Sequence, residues 1–209
     1  MAYRPTPRTE ARRAAARERI VEAAIAQLDE GGYASATVQA VAGRAGVATG
    51  SVYRHFPSKS ELFAEVFRRA TQREIDVLAE LARDDARPVV ERVAAGVDVF
   101  ARRALAAPTR AYALIAEPVD PAVDAERLVY RRGYLGVFKG LLDEGVAGGE
   151  LAPHDTELAA AALVGAIAEV LVGPLSPSQN GRAPHHEALV AGLVQIVVRA
   201  LPANRAVAA

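Results

Sequence analysis

The apolar residues of this chain recur at helical spacing, and no stretch alternates as a strand would. Ile20, Val21, Ala24, Ile25 and Leu28 fall on one stripe, and Leu62, Phe63, Val66, Phe67 and Ala70 repeat it. A period near 3.6 gathers such residues on one face of an amphipathic helix. The fold is therefore expected to be all-α. With 209 residues, 51% of them hydrophobic, the chain is long enough to bury a sizeable core. The pattern and its punctuation predict helices from about residue 10 to Gly31-Gly32, and over 38–45, 49–55, 58–83, 88–106, 109–116, 122–147, 156–172 and 185–201. Gly31-Gly32 and Gly46 suit helix C-caps, Thr37 caps the second helix, and Ser58 with Glu61 three residues on forms a capping box.

Several classes of function are excluded early. Cysteine is absent, which removes disulfides, thiolate metal sites and cysteine nucleophiles. The amino end has no apolar run of signal-peptide length, so a cytoplasmic location is expected. The longest apolar run, Leu158 to Val172, is dominated by alanine and interrupted by Glu169, and reads as no membrane span. Neither a Gly-rich phosphate loop nor a His-x-x-x-His metal pair occurs. His154 follows Pro153 at a helix entrance, and His185 and His186 lie in the turn-rich "VGPLSPSQNGRAPHH". No enzyme, cofactor or metal is expected.

The net charge of zero conceals a split, because residues 1–60 hold nine Lys and Arg against five Asp and Glu. The amino end is the basic end. Within it, two short helices joined by "AGVA" make a helix-turn-helix. The amino-terminal residues of a second helix in such a motif meet base edges in the major groove. Gly50 leaves no side chain to hold that helix off DNA, Thr49 offers a hydroxyl and a methyl, and Ser51, Tyr53 and His55 offer hydrogen bonds to phosphates. Lys59 places a cation in the first turn of the next helix, directly after the Ser58 cap and against the helix dipole. A phosphate at the same point would reverse that small penalty. The leading Arg4, Arg8, Arg12 and Arg13 read as a disordered, solvated arm, with contact to the minor groove as the alternative.

The span from about Arg17 to Phe67, centred on "TVQAVAGRAGVATGSVYRHFPSKSELFAEVF", resembles the amino-terminal domain of the tetracycline-repressor (TetR) family of bacterial transcriptional regulators. The resemblance implies a three-helix DNA-binding domain over 1–57 and a helical effector-binding and dimerisation domain over 58–209, linked by the helix from Ser58. It makes Gln39, Arg44, Thr49 and Gly50 candidate base readers, and Thr37, Ser51, Tyr53, His55 and Lys59 candidate phosphate contacts. Arg54 reaches either a base or a phosphate. Family members often carry serine where this chain has Ala48, which leaves Thr49 to cap the second short helix.

A single two-helix reader makes few contacts, so useful affinity requires two copies on a palindromic operator. The last two helices are apolar on nearly all faces, and Leu163, Ile167, Leu171, Leu189, Leu193, Ile196 and Val197 are the candidate dimer interface. In the middle helices Phe100, Tyr112, Tyr130, Tyr134 and Phe138 concentrate the aromatic residues, with Glu117 in "IAEPVDP" a nearby polar group. These six residues are read either as core or as the pocket of a small apolar or aromatic effector, whereas Arg131 and Arg132 are expected at the surface. The resemblance implies a homodimeric repressor released from its operator by that effector. Three alternatives remain: a helical ligand-binding dimer without DNA binding, an activator, or a regulator without a ligand.

Overall fold

The computed structural model describes residues 6–83, 86–179 and 186–204. Arg4 and His185 lie outside the described residues. Nine α-helices occur among the described residues: α1 (Pro7–Ser35), α2 (Val38–Ala45), α3 (Thr49–His55), α4 (Lys59–Ala82), α5 (Val89–Ala106), α6 (Pro108–Ile115), α7 (Pro121–Ala147), α8 (Thr156–Leu175) and α9 (His186–Ala200). The all-helical expectation holds, with boundaries within a few residues of those read from the sequence.

Local chemistry sets the ends. Thr37 Oγ1 accepts from the Ala40 N–H at 3.1 Å, and Ser58 Oγ from the Glu61 N–H at 3.1 Å. Gly46 takes the left-handed conformation, φ 66°, and its turn returns the Val47 N–H to the Ala42 carbonyl at 3.0 Å. That glycine closes α2 and aims α3 across it. Helix α1 starts earlier than expected, with Thr6 as N-cap and Pro7 in the first turn. Arg8, Arg12 and Arg13 are thus exposed residues of a helix, not of a disordered arm. Gly32, φ 72° and ψ −173°, breaks the helical geometry of α1 before a last turn through Ser35.

Two cores organise the chain. The first unites α1, α2 and α3 with Leu62, Phe63, Val66 and Phe67 of α4, and takes in Ala113 of α6 and Val123 of α7. The second fills the space between α5, α7, α8 and α9 around Val93, Val97, Phe138, Leu142 and Leu171. The start of α4 is therefore shared by the reading head and the body.

The two carboxyl-terminal helices correct one expectation. Leu163, Ile167, Leu171, Leu193 and Val197 are buried inside this protomer and belong to its core. Leu163, Ile167 and Leu171 of α8 fill the space within the protomer together with Ala160. Ala161, Ala162, Gly165 and Ala166 of α8 are exposed, Leu158 is 68% exposed and Ile196 62%, and Leu189 is half-buried. Helix α8 is also long and apolar enough to cross a membrane, judged by length and composition alone, a test that a core helix passes as well.

Candidate nucleic-acid interface and effector cavity

Helix α3 presents a polar, uncovered surface. Thr49, Gly50, Tyr53 and Arg54 are exposed, and Ser51 and His55 are partly so. Val52 and Phe56 turn inward to anchor the helix on the first core. A Cβ built on Gly50 would meet no atom within 4 Å, so another surface can approach the backbone there. Tyr53, 48% exposed, is a large aromatic residue left in solvent beside it. Ala48, not Thr49, is the N-cap, and it makes no side-chain capping bond. Thr49 is the first helical residue, its hydroxyl not engaged in capping. Arg54 Nη2 donates to Ser51 Oγ at 3.2 Å.

Thr37 and Gln39, at the start of α2, are exposed, but Arg44 Nη2 is held by Glu30 Oε1 of α1 at 2.5 Å. Arg13 and Arg17 of α1 lie close enough to His55 to act on it. Burial first, then the charges of Arg13, Arg54 and Arg17, hold the His55 imidazolium below its ordinary pKa. A neutral imidazole in a cluster of guanidinium groups marks a spot where an anion would be welcome.

Lys59 departs from the position expected of it. Its ammonium donates to the Tyr33 carbonyl at 2.9 Å and sits 4.2 Å from the centroid of the Tyr33 ring. Burial lowers its pKa, against the opposing charges of Asp120 and Glu117. The lysine thus faces the junction of reading head and body, and a phosphate contact requires it to swing outward.

Glu117 is displaced from its expected role as well. Its carboxylate accepts from the Tyr33 N–H at 2.8 Å and the Ala34 N–H at 2.9 Å, so it clamps the end of α1 and does not line the cavity. Asp120 continues the clamp, accepting from the Tyr33 hydroxyl and from Ser60 Oγ at 2.7 Å. Those hydrogen bonds hold the Asp120 carboxyl below the usual carboxylate range. The clamp was illegible in the sequence, because its halves lie 84 residues apart. The preference of Gly32 for a left-handed turn was its one local sign.

Above this junction a cavity of about 100 Å³ opens between α4, α5, α6, α7 and α8. Phe100, Tyr130, Tyr134 and Phe138 line it as the sequence suggested, whereas Tyr112 and Glu117 do not. Ile167, expected at a dimer face, forms part of the wall, and Arg131, exposed as expected, stands at the rim. Phe100 and Tyr134 meet edge to face with centroids 5.3 Å apart. Arg127 joins cavity and clamp: it lines the cavity and donates to the carbonyls of Ala113 at 2.9 Å, Leu114 at 3.1 Å and Glu117 at 2.8 Å.

Residues 20–66 match the model of the bacterial regulatory proteins of the tetR family. Over 188 residues, 88% of this chain and 96% of the relative, the sequence is 27% identical to the uncharacterized HTH-type transcriptional regulator YhgD of Bacillus subtilis (strain 168). It is 44% identical over 57 residues to the HTH-type transcriptional repressor KstR of Rhodococcus jostii (strain RHA1), 27% of either chain. The structure of the transcriptional regulator FadR from Bacillus subtilis in complex with stearoyl-CoA superposes with a TM-score of 0.73 at 23% identity, over 87% of this chain and 97% of that one. That last likeness is one of fold.

Proposed function

We propose that the chain, whose residues 20–66 match the model of the tetR family, is a DNA-binding transcriptional regulator of that family and acts as a homodimeric repressor, released from a palindromic operator by a small-molecule effector. The observation that carries the reading is the exposed amino-terminal end of α3, where Thr49, Gly50 and Tyr53 stand in solvent on a buried Val52 and Phe56. In this reading Thr49, Gly50 and Gln39 meet base edges, Arg44 joins them when its pair with Glu30 opens, and Thr37, Ser51, Tyr53, Arg54 and His55 hold phosphates. Lys59 reaches a phosphate after leaving the Tyr33 carbonyl.

The second copy covers the outward face of α8 with part of α9. Exposed Ala162 and Gly165 allow close helix approach, and Leu158 and Ile196 contribute apolar area at its ends. An uncovered apolar face of this kind is costly in water. A dimer of this geometry presents two α3 helices to successive major grooves.

The cavity is the effector site in this reading. FadR of Bacillus subtilis provides a precedent in its complex with stearoyl-CoA. A molecule entering between α6 and α7 meets Arg127, which orders the last carbonyls of α6 and the Glu117 turn. Displacing that guanidinium loosens the carboxylate that holds Tyr33 and Ala34. An effector favouring the loosened state shifts the population away from the DNA-binding arrangement. Full reversal of a strong preference requires about 10⁴-fold tighter binding to one state, about 5.5 kcal/mol.

Selection of binding sites from randomised duplex DNA tests the reading. Wild-type protein should enrich a palindrome that a Tyr53→Ala/Thr49→Ala variant does not. Folded dimer that enriches nothing at low salt would defeat the DNA-binding assignment of α3.

A further inference from the structure

The charges around the cavity are unevenly matched. Four arginines, Arg103, Arg110, Arg127 and Arg131, line it with a single acid, Glu74. Glu74 is engaged by Arg103 through two hydrogen bonds of 2.6 and 2.8 Å. Arg110 pairs with Asp29 at 3.1 Å, and Arg127 holds the three α6-end carbonyls and Asp124. Arg131 makes no hydrogen bond or ion pair with any described residue. It lies one turn beyond Arg127 on α7, close enough that its charge helps to lower the Arg127 pKa, although burial is the larger cause. Tyr134 also lines the cavity, and its hydroxyl makes no hydrogen bond with any described residue. Burial first, and the charge of Glu74 second, raise its pKa well above the ordinary phenol value, so it remains a neutral donor.

The inner wall is of the opposite character. Phe100, Tyr134, Phe138, Val164 and Ile167 present ring and aliphatic surface, and such a wall selects for hydrocarbon. We propose that the ligand of this cavity is an amphipathic organic acid, whose hydrocarbon body lies against that wall and whose carboxylate is received at the mouth by Arg131. The assignment rests on reading the cavity as the effector site. Two adjacent guanidinium groups, one of them without a carboxylate, form a positive mouth that a neutral ligand leaves uncompensated and a carboxylate completes.

Calorimetric titration of the full-length protein with a series of straight-chain acids from hexanoate to dodecanoate, each beside its neutral primary amide, tests the proposal. The best acid should bind about tenfold or more tightly than its amide, the margin of a charge-assisted hydrogen bond. Arg131→Gln should reduce the acid to the affinity of the amide and leave the melting temperature of the free protein unchanged, since the side chain has no protein partner to lose. Amides that match their acids, an Arg131→Gln variant that binds the acid as before, or a series in which no acid binds would each overturn it. Operator binding measured in the same samples separates this proposal from the broader one. A neutral ligand that frees the operator would remove the acid and leave effector release standing. An acid that binds through Arg131 without altering operator affinity would confirm the ligand class and remove effector release.

Discussion

The Glu117 carboxylate, on the turn between α6 and α7, accepts a 2.8 Å hydrogen bond from the backbone N–H of Tyr33 at the end of α1. With the matching bond from the Ala34 N–H, one side chain of the body satisfies two amides of the reading head. Glu117→Ala should lower stability by about 2 kcal/mol, seen as a fall of about 4–8 °C in melting temperature for a chain of this size. If the carboxylate is the link that effector loosens, the same variant should bring the ratio of operator affinities without and with effector toward one. A variant that melts lower but keeps the full ratio would move the coupling elsewhere.

Gly32 tests the same contact from the other side. Its φ of +72° favours glycine, and a Cβ there would stand 2.8 Å from Glu117 Oε2. Gly32→Ala should therefore cost about 2–3 kcal/mol from backbone strain together with the clash. Added to Glu117→Ala it should cost less than it does alone, since the colliding carboxylate is gone. Thermal melts of the two single variants and the double variant measure that difference.

Glu65 of α4 is buried and is bonded by Arg17 at 3.2 Å, by Arg69 at 2.9 Å and by Arg68. Burial alone would raise its pKa, but the three arginines outweigh it and hold the carboxyl below its ordinary value. A depressed carboxylate contributes stability above its unfolded pKa of about 4.3, and loses it as pH falls through the lower folded value. Glu65→Gln should thus lower the melting temperature at pH 7, and the gap to wild type should close below about pH 4. A gap that stays constant across that range would mean the loss is one of packing.

Gly165 faces open space in the protomer. Gly165→Glu should keep the helical content of the protomer, because glycine is the weaker helix former by about 0.5–1 kcal/mol. If α8 carries the proposed dimer face, the variant should also give a monomer in sedimentation velocity, since a carboxylate there would stand between the two copies. A variant that stays dimeric would place the interface on another surface.

Arg54 is exposed beside Ser51. If it holds a phosphate, Arg54→Gln should weaken binding evenly across operator sequences and reduce the slope of log K against log salt by about 0.9 per reading head. A loss confined to one base position would make it a base reader.

The sequence was most informative where a signal is local. Caps such as Thr37 and Ser58, the turn at Gly46 and the stripe from Ile20 to Leu28 each depend on neighbours within one or two turns, and they emerged as read. The polar end of α3 was legible for the same reason. Helix α8 was misjudged because apolarity on every side does not say which side faces in. The packing of α5 and α7 against the helix decided it, with Leu163, Ile167 and Leu171 in the core and Ala162 and Gly165 outside. Glu117, Asp120 and the inward Lys59 were beyond reach, since each is explained by a partner on a distant segment. Arg131 is exposed as its helix position suggests, but nothing in a helix pattern marks it as the rim of a cavity.

Tyr33 is engaged at its amide by Glu117, at its carbonyl by Lys59 and at its hydroxyl by Asp120. For anyone building hybrid regulators, the cut at Pro57 suggested by the motif is therefore the wrong seam. A reading head transplanted there onto a foreign body would leave two amides and a buried phenol without their acceptors. The transferable module is discontinuous: residues through Phe67 together with the corner from Ala113 to Val123 that its core already includes.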